Sequence, residues 1–364
     1  MSLILDGTNG ITSPTPLAVT SGGTGVTTST GTGSTVFSTN PVFSNSISTP
    51  NTFGFKNRFI NGKFQIAQRG TSGTAGNGLP TTTATYPSVD RWFAYYTGAA
   101  VTVAQVAGSG NNKNLIQATG AASVTAIGIG QRIEAVNCYD LAGQTVTLSA
   151  SIANSLLTTV TWTAYYAGST DVWTSSTQIA TGTFTVSSTL TTYSTQISIP
   201  SAATTGLQII FSVGAQTSGT FQIGNAQLEL GSIATPFDQR SYGTELQLCQ
   251  RYCYVNIPNA TGSNNTFLAQ GFFSSSTAAL IGFPLSVNLR VVPVFTYTAS
   301  VGNFYVFNAS GSYSALTSLS INSVSGSQFI LLSVGFASGG TLGQSCFILS
   351  DNTKTAFLIF SAEL

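Results

Sequence analysis

Between residues 100 and 215 the chain is written in short runs that alternate apolar with polar side chains. Residues 101–106 and 145–152 alternate, and further strand-like runs come after them at 158–166, 178–186, 192–199 and 208–213. The runs recur at spacings of about 10–20 residues, β-branched residues abound in them, and Gly, Asn and Ser clusters separate them. A period of two sends successive side chains to opposite faces, so each run buries one face and presents the other. No sustained helical periodicity intervenes. These features predict an all-β fold, with a β-sandwich of jelly-roll type over residues 56–241.

Charge narrows the reading further. The 364 residues include eleven Lys or Arg, ten Asp or Glu and no His, so 6% are charged, against roughly 25% in ordinary soluble proteins. Mean hydropathy is +0.26. No apolar run approaches the ~18–20 residues a membrane helix needs; residues 207–213 and 329–334 come nearest, and no membrane insertion is expected. Two readings remain: a neutral β protein with Ser/Thr faces, or an oligomer that hides surface a monomer would have to solvate. The eleven basic residues are scattered singly, which argues against nucleic acid as a partner. Without imidazole, Ser–His and Cys–His nucleophiles and His-based zinc sites are excluded. The opening residues lack the basic stretch and long apolar core of a signal peptide. Cys138, Cys249, Cys253 and Cys346 form neither a disulfide framework nor a metal knuckle, so reduced thiols from a cytoplasm are expected.

Residues 1–55 hold one ionisable side chain, Asp6, and are dominated by Ser, Thr and Gly with short apolar islands at 3–5, 36–37 and 42–43. Such a segment cannot bury a core of its own; it is either a disordered tail or a strand-like thread ordered against partner chains. Aromatic and cationic residues enter together over 53–69. One helix is expected over 244–254, within a linker spanning 242–256, with Thr244 as N-cap. On it Leu246, Cys249 and Cys253 share a stripe, with Tyr252 alongside. The stripe packs on its own sandwich or, in an oligomer, gathers between chains. Beyond it, residues 257–364 hold further strand-like runs at 266–273, 278–283, 292–298, 303–307, 327–334, 344–349 and 356–361, which predict a second β-sandwich with its C-terminal strand tied down.

Several phrases resemble bacteriophage tail-fibre and receptor-binding proteins. Leu3-Ile-Leu-Asp-Gly-Thr-Asn-Gly-Ile11, Ser21-Gly-Gly-Thr-Gly-Val26 and Thr30-Gly-Thr-Gly-Ser34 look like their virion-proximal segment. Asn57-Arg-Phe-Ile-Asn-Gly62, Gln68-Arg-Gly70 and Val89-Asp-Arg-Trp92 resemble the start of a carbohydrate-binding-module-like jelly roll. Gln131-Arg-Ile-Glu134 and the stretch 227–237 resemble its later strands, and 240–252 its linker helix. The resemblance covers residues 1–256, with a Phe-Pro…Leu-Arg…Pro phrase at 283–293 beyond. It implies a homotrimeric fibre assembled in the host cytoplasm and carried on the virion. Residues 1–55 would be held by a tail or baseplate protein, and 257–364 would form the distal receptor-binding tip. Leu246, Cys249, Tyr252 and Cys253 would then lie at the trimer interface.

Only carboxylates and hydroxyls remain as catalysts. A glycosidase needs two carboxyl groups about 5–10 Å apart. Glu134 and Glu229 sit in strand-like runs near Arg residues, and Asp90–Arg91 and Asp238–Arg240 read alike, as structural ion pairs. The expectation is therefore no enzyme and no cofactor. A structural calcium ion on Asp90, Asp140 or Asp238 is an open option, though no dense carboxylate loop supports it. Aromatic rings suit sugars, whose apolar faces stack on them. Trp92, Tyr95 and Tyr96 cluster, as do Trp162, Tyr165, Tyr166 and Trp173; Trp162 and Tyr166 share a strand face opposite Tyr165, and any single ring can instead be core. Trp173, in a loop-like Gly/Ser/Thr context, and Tyr305, Phe307 and Tyr313 in the distal domain are the glycan-contact candidates. The expected function is display of a β domain that binds bacterial surface polysaccharide. The alternatives are a depolymerase with paired carboxylates and a purely structural collar or adaptor fibre.

Overall fold

Each run read as a strand between residues 100 and 215 is a strand in the computed structural model, which describes residues 4–6, 10–12, 55–256, 266–298, 300–308, 311–351 and 356–364. The chain forms two units, Met1–Pro50 and Asn51–Leu364. In the first, β1 (Ile4–Asp6) and β2 (Gly10–Thr12) pair antiparallel as a small hairpin.

The second unit begins with a two-sheet sandwich. Its strands are β3 (Ser72–Thr74), β4 (Gly76–Asn77), β5 (Phe93–Thr97), β6 (Thr102–Ser109), β7 (Asn112–Thr119) and β8 (Ala126–Ile133). There follow β9 (Thr145–Asn154), β10 (Thr159–Ser169), β11 (Val172–Thr185), β12 (Thr191–Ser198), β13 (Leu207–Val213) and β14 (Thr220–Leu230). One six-stranded sheet runs β11-β10-β13-β8-β5-β4 and the other β12-β9-β14-β7-β6-β3. Every pairing is antiparallel except β4 with β5. Strand β9 shows why the sheets face each other. Val146, Leu148, Ala150 and Ile152 join the core, while Thr147, Ser149 and Ser151 take the opposite face. Trp92, Phe211 and Phe221 fill the space between the sheets.

Helix α1 spans Tyr242–Gln250 and is capped by Ser241, whose side chain accepts from the Thr244 amide. The expected cap, Thr244, is thus already inside the helix, and the helix ends at Gln250, short of the expected residue 254: Cys253–Asn256 is drawn off as β15 to pair with β23 (Leu358–Ser361). Strand pairing with the last residues outweighs continuation of the helical stripe. With β18 (Val294–Tyr297) these strands make a three-stranded sheet, β15-β23-β18.

The C-terminal region forms a closed barrel and not the expected sandwich. Its strands are β16 (Thr266–Phe273), β17 (Ala278–Pro284), β19 (Phe304–Asn308), β20 (Tyr313–Ile321), β21 (Phe329–Phe336) and β22 (Ser345–Ser350), closed in the order β16-β17-β21-β20-β19-β22. Bulges at Phe267/Ala269 and Leu316/Ser318 bend the strands enough to close the ring. Gly271 permits close approach, because a Cβ there would lie 1.9 Å from the Leu280 carbonyl oxygen. Phe273, Phe304, Phe336 and Ile348 fill the interior.

Sandwich and barrel are fastened by the chain's scarce charges. Arg91 and Arg69 both pair with Glu363, and Arg132 donates to the main-chain oxygen of Leu364 at 2.9 Å. Arg290 holds the oxygens of Ala362 and Glu363, each at 2.9 Å. The tied-down C-terminal strand expected from sequence is present, with residues 362–364 running into the sandwich side of this junction.

Candidate functional site

A cleft of about 690 Å³ lies over the outer face of the β12-β9-β14-β7 sheet. Its floor carries Ser149 and Ser151 of β9 and Thr192 of β12, with Ser151 and Thr192 hydroxyls 2.9 Å apart. One wall is the tip of the β6–β7 hairpin, where Gly110, at φ +56, leads a two-residue turn that presents Asn111 and then Asn112. The opposite wall is the segment 235–239, bringing Pro236, Phe237 and Asp238.

Asn225 reaches the cleft through a backbone irregularity. The register of β14 against β9 shifts between Gly224 and Gln227, and Asn225 takes φ +42, a left-handed conformation that Asn tolerates better than most residues. A bulge of this kind re-aims a side chain at the edge of a site. The amide oxygens of Asn112 and Asn225 are both buried without a hydrogen-bond partner. Such acceptors are costly unless something satisfies them.

The 235–239 wall is fixed by Glu229. Its carboxylate accepts from the Thr235 amide at 2.8 Å, the Thr235 hydroxyl at 2.6 Å and Gln227 Nε2 at 2.9 Å. Gln227 Oε1 in turn accepts from the Asp238 amide at 2.7 Å. Glu229 therefore pins a loop, whereas the sequence reading gave it an arginine partner. The other expected pairs are also re-sorted. Arg240 pairs with Glu245 at 3.1 Å, and Asp238 accepts from the Asn57 amide at 3.2 Å. Asp90 faces Gln68 and Arg69 while Arg91 turns away to Glu363. Glu134 does find its arginine, Arg251, at 2.8 Å. Among the described residues no three Asp, Glu, Cys or His side chains converge as a metal site would require. Asp90, Asp140 and Asp238 are each held by protein donors.

The aromatic candidates separate. Trp173 is only 5% exposed, packed beside Tyr252 and Leu364 with the Arg132 guanidinium 5.0 Å from its ring, so the exposed ring expected there is corrected: β10–β11 pairing draws it into the junction. Tyr305 and Phe307 share the outer face of β19, and Phe307 lies 4.7 Å from the ring of Tyr313. Trp162 and Tyr166 face the sandwich core, while Tyr165 packs on the other side of β10 against the Trp173 cluster instead of standing free. Cys249, Tyr252 and Cys253 are wholly buried within one chain, which fills the stripe from inside; Leu246 is half-buried against the same cluster. All four cysteines are unpaired and buried, and burial pushes the Cys249 and Cys253 thiols well above their ordinary range, which keeps them protonated and inert.

The sequence reading missed the cleft. Its visible signals were the Ser/Thr side of 145–152, the Gly110-Asn111 pair and Gly224 inside a strand, where an isolated glycine marks a bulge.

No family model matches the chain, and no curated protein matches it in sequence. Solved structures similar in part include the enzymatically active domain of tailspike protein 4 of bacteriophage CBA120, at 18% identity and TM-score 0.31, covering 39% of this chain and 19% of that one. A family 4 carbohydrate-binding module aligns at 15% identity and TM-score 0.32 over 47% of this chain and 98% of its own. A family 22 xylan-binding module of Paenibacillus barcinonensis Xyn10C aligns at 16% identity and TM-score 0.29, over 39% and 92%. This chain thus spans about a fifth of the tailspike domain's length. Overlaps of this size decide neither fold nor function, which rest on the geometry above.

Proposed function

We propose that the sandwich binds a neutral or weakly charged polysaccharide in the cleft, and that the chain is a non-enzymatic, virion-borne fibre protein that displays this site to a bacterial surface. The observation carrying the binding reading is the lining itself. Three Asn amides, Ser and Thr hydroxyls and one ring surround a volume suited to a few sugar residues, and two amide oxygens lack partners. Polyhydroxylated ligands supply the donors those oxygens need.

Asp238 is the sole carboxylate among the lining residues. Hydrolysis with two opposed acids has no second acid there, which favours binding over a depolymerase. The fibre reading draws on the tail-fibre phrases at 3–34, 57–92 and 227–252. It brings a homotrimer, a tail or baseplate partner for residues 1–55, which lie almost wholly outside the described residues, and avidity across copies. It needs neither cofactor nor calcium.

Titration of the purified chain with capsular and lipopolysaccharide preparations tests the proposal. Saturable binding abolished by Asn112→Ala with Asn225→Gly is expected. Binding untouched by those changes, or release of oligosaccharide that one acid substitution abolishes, would overturn it.

A further inference from the structure

The outside of the distal barrel carries a line of rings. In register, Tyr313 of β20 pairs with Phe307 of β19, which pairs with Phe347 of β22, which pairs with Gln270 of β16. The ring centroids are 4.7 Å apart for Tyr313 and Phe307 and 6.4 Å for Phe307 and Phe347, and Phe267 lies 5.5 Å from Phe347. The row continues from Gln270 to Gly282 of β17 and Leu331 of β21. There the surface sinks into a groove of about 510 Å³ between Phe272 and Phe329. Gly282 forms part of its floor, where a Cβ would lie 2.6 Å from the Phe329 ring. Tyr313, Phe267, Phe272 and Phe329 are all about half exposed.

We propose that this ridge and groove form the contact between copies of this chain, the ridge of one copy seated in the groove of the next. The inference rests on the oligomeric fibre reading and names its surface. Charge selects the occupant. Among the described barrel and loop residues from 266 to 351 the charged side chains are Arg290 and Asp351, and both are engaged within the chain. A charged partner would bury its charges opposite nothing that could pair with them, whereas a second copy brings the same uncharged, ring-rich surface. A lone sugar is a poorer fit, because Gln270 and Ser345 are the only hydrogen-bonding side chains in the groove lining. Barrel closure leaves these six strands without a free sheet edge, so copies meet through side chains. Ridge and groove meet at Phe347; a contact that seats the Tyr313–Phe307 end of one copy in the groove of the next is head-to-tail and closes into a ring when the rotation permits. Aromatic enrichment with charge depletion is the composition of an interface core.

Light scattering of the full chain at 1–100 μM (roughly the range over which such interfaces form) tests this. A mass that is a multiple of 37.6 kDa for the wild type, falling to 37.6 kDa in Phe267→Lys/Tyr313→Lys, is expected. A wild type at 37.6 kDa overturns both the oligomer and its surface. A double variant that folds and keeps the wild-type mass overturns this surface alone. Polysaccharide titration of the Asn225→Gly cleft variant, whose mass should not change, reports on the binding reading separately. Should the double variant fail to fold, Tyr313→Cys gives one exposed thiol beside four buried ones. Its maleimide labelling should slow several-fold as concentration rises, and labelling independent of concentration overturns the proposal.

Discussion

The guanidinium of Arg91 lies 3.6 Å from the ring centroid of Tyr252, at the place where the residues after β23 enter the sandwich. Its far side pairs with Glu363 and its second nitrogen donates to the Arg132 carbonyl oxygen at 2.6 Å. Tyr252 completes the chain of contacts by donating to Glu134 at 2.8 Å, which also holds Arg251. In a protein with so few charges, four of the six ion pairs among the described residues gather around this junction.

Removing one member of such a buried set leaves a stranded charge. Arg91 and Glu363 are 1% and 6% exposed, so Arg91→Met should destabilise the Asn51–Leu364 unit by about 3–5 kcal/mol. Arg69 offers Glu363 a second cation and softens the loss. Adding Glu363→Gln to Arg91→Met should recover part of it, because the unpaired carboxylate is gone. Urea unfolding of the two single variants and the double variant measures the coupling; additive losses would mean that Arg91 acts through packing alone.

Asp90 gives the junction a pH dependence. Burial pushes its carboxyl up to about 6, with Arg69 and the Gln68 hydrogen bonds pulling it back only in part. In the unfolded chain the group titrates near its ordinary value of 3.8. The folded state therefore holds the proton more tightly, and this group's contribution is full below about pH 4 and lost as pH rises through about 6. Melting temperature should show this component as a decline between those values, and Asp90→Asn, which cannot ionise, should remove it. An unchanged pH profile in the variant would place the titration elsewhere.

Asn225 separates backbone from chemistry in the cleft. Asn225→Gly keeps the φ +42 bulge at little cost but removes the amide, so polysaccharide affinity should fall about tenfold with little change in melting temperature. Asn225→Val cannot hold that conformation, and it should lose stability as well as binding. Calorimetric titration beside thermal melts distinguishes the two outcomes.

What the sequence made legible follows from where periodicity survives. Strands β9 and β10 alternate and β13 carries the apolar run 209–211, and they were readable because tertiary packing agrees with local pattern. Strand β20 was not: it buries Leu316 and Leu319 in a Ser/Thr stretch, and a bulge between Leu316 and Ser318 breaks the period. The barrel was hidden for a related reason, since closure depends on long-range pairing of β16 with β22 that no local window contains. Trp173 misled because its Gly/Ser/Thr neighbours suggested a loop, whereas Val172–Thr185 pairs along the whole of β10. The cleft was legible only in fragments, at a glycine-led hairpin tip and a glycine within a strand, and its far wall depends on Glu229 reaching six residues ahead to Thr235.

That last contact yields a test of whether the cleft is pre-formed. Glu229 is 2% exposed and its carboxylate holds the amide and hydroxyl of Thr235 together. Glu229→Gln keeps the size but exchanges one acceptor oxygen for an amide donor, which opposes the donor groups of Thr235 and Gln227. A stability loss of about 1–3 kcal/mol is expected. Hydrogen exchange should quicken at residues 235–239 far more than in β9, because the wall loosens while its floor stays paired. Polysaccharide affinity should fall with it, even though Glu229 is not among the residues lining the cleft. If exchange in 235–239 is unchanged and affinity still drops, the carboxylate contributes to binding by its charge and not by holding the wall.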